Sequence, residues 1–403
     1  MAMPLNAEEI AEAIEAELEI CRRPLRDFQA NDDDREGFAR SGKASCKFPV
    51  DPSKIPVPLI AAMTFRVLLR CHDLGRAEKL AWEYPFIFRG RECSISLEKF
   101  GTRIYVGKTT DGDASSEKCA REIVGKVAAA GRMMEKNLLS LMGQQALALG
   151  NVTVPNLYYK LQGMYKYFRE AALEAYAGNG LLARASERED SGTLIAGKLN
   201  HFMAVRREGL YATVAMVNAY FSLLEHTLVL TLPSTDFNPR QESVASFIGS
   251  RLFEKYDRIF SGNKNKQAQR LREKLKEVAE VWRNPYSHGG FDKMHQAVGF
   301  HVEGIGVIPV GLSNVTNMPE FHIFPERDQG FDELCTLFDE IDDFLCSGPL
   351  WASLEWVKYG LDVPLDEESL KIFRGKVSEG EAEFRDHLSR TSAHVEQAMN
   401  MDW

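Results

Sequence analysis

The sequence predicts a mainly α-helical protein, in which an α+β N-terminal domain precedes a helical bundle that carries a small β insertion. Three observations lead to that class. Apolar residues recur at threes and fours through Leu210, Val214, Val217, Phe221, Leu224 and Leu228, which is the repeat of a long helix with one buried face. β-formers cluster between glycine breaks at Phe86 to Phe88, Cys93 to Leu97 and Arg103 to Val106, and alternate again between His295 and Phe324, as short strands do. With 403 residues, of which 44% are hydrophobic, the chain is long enough to bury more than one core.

In chain order, residues 7 to 22 read as an acidic amphipathic helix, and the polar run Asn31 to Lys43 reads as a loop. Three prolines (Pro52, Pro56, Pro58) lead into a helix expected over Leu59 to Trp82, and an antiparallel meander comes after it. Helical spacing then returns over Glu117 to Ala148, Asn156 to Ala177 and Gly192 to Met203. The second half opens with a long helix from about Arg206 to Leu232. A second helix covers Ser243 to Phe260, and a third, basic one begins after the Gly262-Asn263 break. The β insertion comes next, near 295 to 324. Helical periodicity resumes from Phe331 to Tyr359 with a break at Gly348-Pro349. The expected domains are therefore 1–195 (α+β), 196–362 (helical, with the insertion) and 363–403, an acidic, partly helical tail.

Composition narrows the function classes. The net charge is −9, unevenly placed: residues 325 to 403 hold 19 Asp+Glu against 7 Lys+Arg, a net of −12, which leaves about +3 on residues 1 to 324. An anionic partner would meet the centre of the chain and not its tail. Seven cysteines lie at wide spacings without a Cys-x2-Cys pair, a pattern expected of a reducing cytoplasm and not of a disulfide framework or a zinc site. The first twenty residues are acidic, unlike a signal peptide. No window approaches 18 uninterrupted apolar residues, so no membrane span is expected. Cys71-His72-Asp73 sets a nucleophile type beside a base type, but neighbours on a helix point about 100° apart, and packing is the favoured reading. The aromatic run Tyr158, Tyr159, Tyr165, Tyr167 and Phe168, beside Lys160 and Lys166, reads as core and rim before it reads as a base-stacking surface.

One stretch combines residue types that suit phosphodiester chemistry. The third helix carries Lys264, Lys266, Arg270, Arg272, Lys274 and Lys276 against a single Glu273, and then delivers Trp282-Arg283-Asn284-Pro285-Tyr286-Ser287-His288-Gly289-Gly290-Phe291. Arginine is a permanent cation with a planar fork of donors, and histidine exchanges a proton near neutrality. Pro285 should bend the chain between them and let Arg283 and His288 converge.

Arg283, the polar Asn284 directly after it, and His288 five positions on resemble the Arg-x4-His signature of the HEPN superfamily. The His288-Gly289-Gly290-Phe291 continuation is also similar to what many members show. The resemblance covers about 204–360, with the β insertion as a departure. It implies an all-helical ribonuclease domain that needs no metal or other cofactor and serves as a toxin or phage-defence effector. Arg283, His288 and Asn284 would be catalytic, Tyr286 and the six cations would hold RNA, and Glu225, beside His226, would orient Arg283 or a histidine. It also implies a homodimer with a composite cleft, and an inhibitor or trigger protein as a further partner. The alternative is a non-catalytic HEPN-like dimerisation or binding module.

Overall fold

The computed structural model describes residues 7–402 apart from 43, 45, 109–112, 189–193, 261–264, 285–297, 305, 313–318 and 321–329. It is mostly helical and divides into two compact units, Met1–Asn151 with Ser389–Trp403, and Val152–Leu388.

Unit 1 is built on a five-stranded antiparallel sheet. Its strands are β1 (Phe28–Ala30), β2 (Cys46–Pro49), β3 (Leu80–Phe88), β4 (Arg91–Glu98) and β5 (Gly101–Val106), in the order β1-β3-β4-β5-β2. The expected meander is β3-β4-β5. Alternation along β3 turns Trp82, Tyr84, Phe86 and Phe88 to one face, where they join Cys93, Ile95 and Ile104 in the core. That face is covered by α1 (Ala7–Arg22) and by α4 (Asp113–Met133), which buries Ala120, Ile123, Val127 and Ala130 at helical spacing. A π-turn at Met134–Leu138 joins α4 to α5 (Leu139–Ala148). On the opposite face Glu83 is wholly buried and accepts from Ser94 Oγ (2.6 Å) and from the Ala39 N–H (2.9 Å) at the start of α2 (Phe38–Ser41). Gly37 makes this approach possible. It adopts φ +65°, and a Cβ there would stand 2.5 Å from the Glu83 carboxyl carbon.

Unit 2 is centred on one 37-residue helix. In chain order it contains α6 (Tyr158–Tyr176), α7 (Leu181–Arg188), α8 (Leu194–Leu230), α9 (Val244–Gly249), α10 (Leu252–Phe260), α11 (Lys266–Val278), α12 (Phe331–Ser347), α13 (Trp351–Lys358), α14 (Glu367–Glu379) and α15 (Glu381–Asn400), whose end belongs to unit 1. Within α8, Asn200–Leu230 is long and apolar enough to cross a membrane by length and composition, yet it is mostly buried among its neighbours. Val217, Phe221, Leu224 and Leu228 share one core with Leu271 and Leu275 of α11 and Phe338 and Ile341 of α12. Antiparallel β6 (Thr153–Val154), where the chain enters the unit, pairs with β10 (Val363–Pro364), which follows α13. The expected insertion is a three-stranded sheet of β7 (Val298–Val302), β8 (Gly306–Leu312) and β9 (Pro319–Glu320).

Besides the short α2 inside the expected 31–43 loop and the fusion of the helices expected over 192–203 and 206–232 into α8, the structure departs from the sequence reading in four larger ways. The helix expected over 59–82 stops much earlier: α3 (Pro58–Met63) passes into a π-turn at Thr64–Leu68, and Arg70 takes φ +58°. Cys71 therefore lies outside a helix. Burial pushes its thiol up to about 12, the reverse of what an activated nucleophile needs. The helix expected over 243–260 is two, α9 and α10. The boundary expected at 195 lies at 151, because α6 packs along α8, where Gly209 admits the ring of Tyr176 (2.4 Å from an added Cβ). Tyr158 and Tyr165 of the aromatic run are core, while Tyr159 and Tyr167 are exposed. Finally, 363–403 is not an appendage. Leu365 and Leu370 enter the main core of unit 2, and Phe373, Phe384 and Leu388 form a second cluster with Ala352 and Leu361.

The last correction has a measurable consequence. Phe384 is fully buried between Trp351 and Phe373, so Phe384→Ala should cost about 3–5 kcal/mol. A urea denaturation series would show a clear fall in midpoint, whereas a solvated tail would leave it unchanged within about 0.5 kcal/mol.

Candidate functional site

The basic helix is set by its cap and its apolar stripe. Asn265 caps α11, its side chain accepting from the N–H groups of Gln267 (2.9 Å) and Ala268 (3.4 Å). Ala268, Leu271, Leu275 and Val278 point inward, which leaves the cations on the sides and outer face. The helix then widens into a π-turn, Ala279–Arg283, closed by the Asn284 N–H bonding to the Ala279 carbonyl. Such a turn shifts the angular register of the residues after it. Trp282 packs against the core and Arg283 is delivered to the α8 side, its guanidinium carbon 5.2 Å from the ring centroid of the fully buried Phe221. Arg283 is half-buried and makes no ion pair among the described residues. The indole N–H of Trp282 is buried without an acceptor among them. Asn284 is exposed, on the helical end directly after Arg283. His288, Tyr286 and Lys264 lie outside the described residues, so the convergence expected at Pro285 stands as an expectation.

The other cations of α11 are differently employed. Arg272 is held by Asp257 of α10 through two hydrogen bonds (2.6 and 2.7 Å), Arg270 pairs with Glu340 of α12, and Lys274 stands 3.6 Å from the same carboxylate. Lys266 and Lys276 are exposed and are in no ion pair among the described residues. These carboxylate partners come from α10 and α12.

Glu225 lies one turn beyond Phe221 on α8, as its spacing required, but its carboxylate is already engaged. Lys255 of α10, only 2% exposed, donates to it at 2.6 Å. Of the two roles the sequence offered Glu225, orienting Arg283 or a histidine, the described residues show neither as an ion pair: its carboxylate is paired with Lys255. His226 is half-buried, accepts at Nε2 from the Leu157 N–H (3.0 Å), and has its pKa lowered by burial, so it stays neutral. No group of three or more His, Cys, Asp or Glu side chains among the described residues is placed to share a metal ion.

Two groups near this region were missed by sequence reasoning. Lys255 stands between Leu252 and Ile259 on the inward stripe of α10, so its spacing alone marks it as a buried cation needing a partner. Asp342 sits four residues after Phe338 and three before Leu345, beside the inward stripe of α12. It lines a small cavity with Tyr158, Leu223, Leu224, Thr227 and Leu354. Burial raises its carboxyl to about 6, while the hydrogen bond donated by Tyr220 Oη (3.0 Å) pulls the other way.

Both groups can be tested. Glu225→Ala should destabilise the protein by about 2–4 kcal/mol, because it leaves a buried ammonium uncompensated, and adding Lys255→Met should recover most of that loss in the same denaturation assay. For Asp342 the folded chain keeps its proton to a higher pH than the unfolded chain, whose carboxyl titrates near 3.8. Its contribution is thus fully present in acid and is lost as pH rises from about 4 to about 6. Asp342→Asn should match wild type near pH 4 and exceed it by on the order of 2 kcal/mol at pH 7. Taking the difference between the two proteins cancels the opposite contributions of Asp27 and Glu242, whose carboxyls are lowered first of all by hydrogen bonds from Lys126 and Arg258.

No family model, no curated protein and no solved structure matches this chain.

Proposed function

We propose that the chain is a metal-independent endoribonuclease of HEPN type, a toxin or phage-defence effector that cleaves RNA through Arg283 and His288. The observation that carries the reading is the state of Arg283. At the end of a helix whose neighbouring arginines are tied to carboxylates, it rests on an aromatic face and has no anionic partner among the described residues. The order of elements supports it as well: α8, then α10, then the motif-bearing α11, the β insertion and α12.

In this reading a ribose 2'-hydroxyl attacks the adjacent phosphorus and the bond from phosphorus to the 5'-oxygen breaks, giving a 2',3'-cyclic phosphate and a free 5'-hydroxyl. His288 takes the 2'-proton and supplies one to the leaving oxygen, as a group titrating near neutrality can. Arg283 holds the phosphate and balances the charge that builds in the transition state. Asn284 offers its exposed amide to the phosphate or to His288, and Tyr286 stacks a base. Lys266 and Lys276 provide sequence-independent attraction to the backbone. Arg270, Arg272 and Lys274 contribute less, since their charge is already balanced. Two copies pairing about a two-fold axis would set both motifs on one cleft.

Incubating the purified chain with total RNA and tRNA in EDTA should yield fragments with cyclic-phosphate ends. Arg283→Ala and His288→Ala should each abolish them, a loss of at least about a hundredfold, while leaving the denaturation midpoint within about 1 kcal/mol of wild type. RNA left intact by the folded, wild-type dimer, with or without a cell extract to supply a trigger, would overturn catalysis in favour of a binding module.

A further inference from the structure

A row of side chains on α8 leads from beneath Arg283 out to solvent. Arg207, Tyr211, Val214, Asn218 and Phe221 follow the spacing i, i+4, i+7, i+11, i+14 of a single helix face. Phe221 is buried under the Arg283 guanidinium. Asn218 and Val214 are half-buried, and Arg207 and Tyr211 are exposed, the tyrosine to 61%. The row opens because the neighbours of α8 lie on its other sides. α6 takes the side of Gly209, which admits the ring of Tyr176, and α7 takes the side of Glu208, whose carboxylate accepts from the N–H groups of Leu181 and Leu182 (both 2.8 Å). Charge on this part of the helix is one-sided. Between Leu194 and Leu224 it contains Lys198, Arg206 and Arg207 against the single acid Glu208, which is engaged by α7. None of the three cations is in an ion pair among the described residues. Arg206 instead rests over the ring of Phe202, 5.5 Å from its centroid, in the manner of Arg283 on Phe221.

We propose that this face of α8, from Phe221 to Arg207, is the path of single-stranded RNA into the Arg283 site, with a base stacked on Tyr211 and a phosphate held by Arg207. The inference rests on the ribonuclease reading above and names the form of RNA that such a site takes. Tyr211 and Arg207 are one turn apart, about 6 Å along the axis, so a base lying on the ring brings an adjacent phosphate within reach of the guanidinium. Stacking on a side chain needs a base that is free of its neighbours, which a single strand offers and a duplex does not. From Phe221 to Arg207 the face is about 21 Å long, room for several nucleotides, and Arg283 stands at one end with Arg206 and Arg207 at the other. Charge complementarity favours RNA as the occupant. Cations on a helix whose one nearby acid is already hydrogen-bonded attract a phosphate chain whatever its sequence, and the exposed ring between them supplies the contact to a base.

The test is fluorescence anisotropy of the full chain with a labelled 2'-O-methyl RNA of about 12 nucleotides, which offers no 2'-hydroxyl for attack, beside the same strand held in a duplex. Wild type should bind the single strand more tightly. Tyr211→Ala should weaken that binding at least about fivefold, and Tyr211→Phe should keep it, because the ring and not the hydroxyl does the stacking. Arg207→Ala should lower the slope of log affinity against log salt by about 0.7. Both residues are exposed, so neither variant should move the denaturation midpoint. Affinity and salt slope unchanged in both variants would overturn the proposal even if wild type cleaves RNA, as would equal affinity for the duplex. An affinity lost only together with the dimer, followed by light scattering, would overturn it in favour of a face that receives a second copy. Single-strand binding that depends on Tyr211 and Arg207, in a protein that leaves RNA intact in EDTA, would sustain this surface while the catalytic reading falls, and a wild type that binds no RNA would overturn both.

Discussion

The constraint on which unit 2 depends is that α8 cannot be left in water. From Thr213 to Leu230 it is apolar around most of its circumference, with Met216, Val217, Ala219, Tyr220, Phe221, Leu223, Leu224, Leu228, Val229 and Leu230 all buried. A helix of that composition needs neighbours on several sides. It obtains them from α6 on one flank, α10 and α11 on another, and α12, where Tyr220 stacks on Phe338 with ring centroids 3.9 Å apart. The partners are far apart in the chain, so the loops and the β insertion between them matter less than the faces they present. The position of Arg283 depends on this arrangement, since Phe221 is held in place by the same packing.

How much could be read from the sequence depends on what periodicity encodes. The stripe of α8, the inward residues of α11 and the alternation of β3 each state that a face is buried, and each is seen. None states what that face is buried against. That is why α6 was assigned to the wrong domain, and why the acidic 363–403 segment, where the inward Phe373, Phe384 and Leu388 stand among exposed Ile372, Val395 and Met399, looked like a solvated tail. The early end of the helix after Leu68 was illegible for another reason: Arg70 adopts a left-handed conformation without a glycine to announce it. Of the candidate site, Arg283 and Asn284 were legible as residue types at a helix end. The π-turn was not, because no residue pattern specifies an extra residue in one turn.

Charge pairing explains why a strongly basic helix can belong to a chain of net charge −9. Asp257 and Glu340 are spent on Arg272, Arg270 and Lys274, and Glu225 on Lys255. The exposed pairs are worth little to stability. Lys255 differs, because a buried ammonium without its carboxylate would be strongly unfavourable, so it ties the position of α10 on α8 to a single partner. The pairing also divides the basic stretch into cations bound to the bundle and cations in no ion pair among the described residues, a distinction that a count of lysines and arginines cannot make.

The manner in which Arg283 is held bears on what it can do. A carboxylate would engage the guanidinium along its edge and occupy the N–H donors that recognise phosphate. An aromatic ring engages the planar group through its face, by the attraction of a cation for the ring quadrupole, and leaves the donors along the edge for another acceptor. Partial burial weakens the competition from water and strengthens any later contact with an anion. Phe221 therefore restrains the direction of Arg283 without satisfying its hydrogen-bonding capacity. That is the condition a phosphate-binding arginine must meet before its ligand arrives, and the paired Arg270 and Arg272 do not meet it.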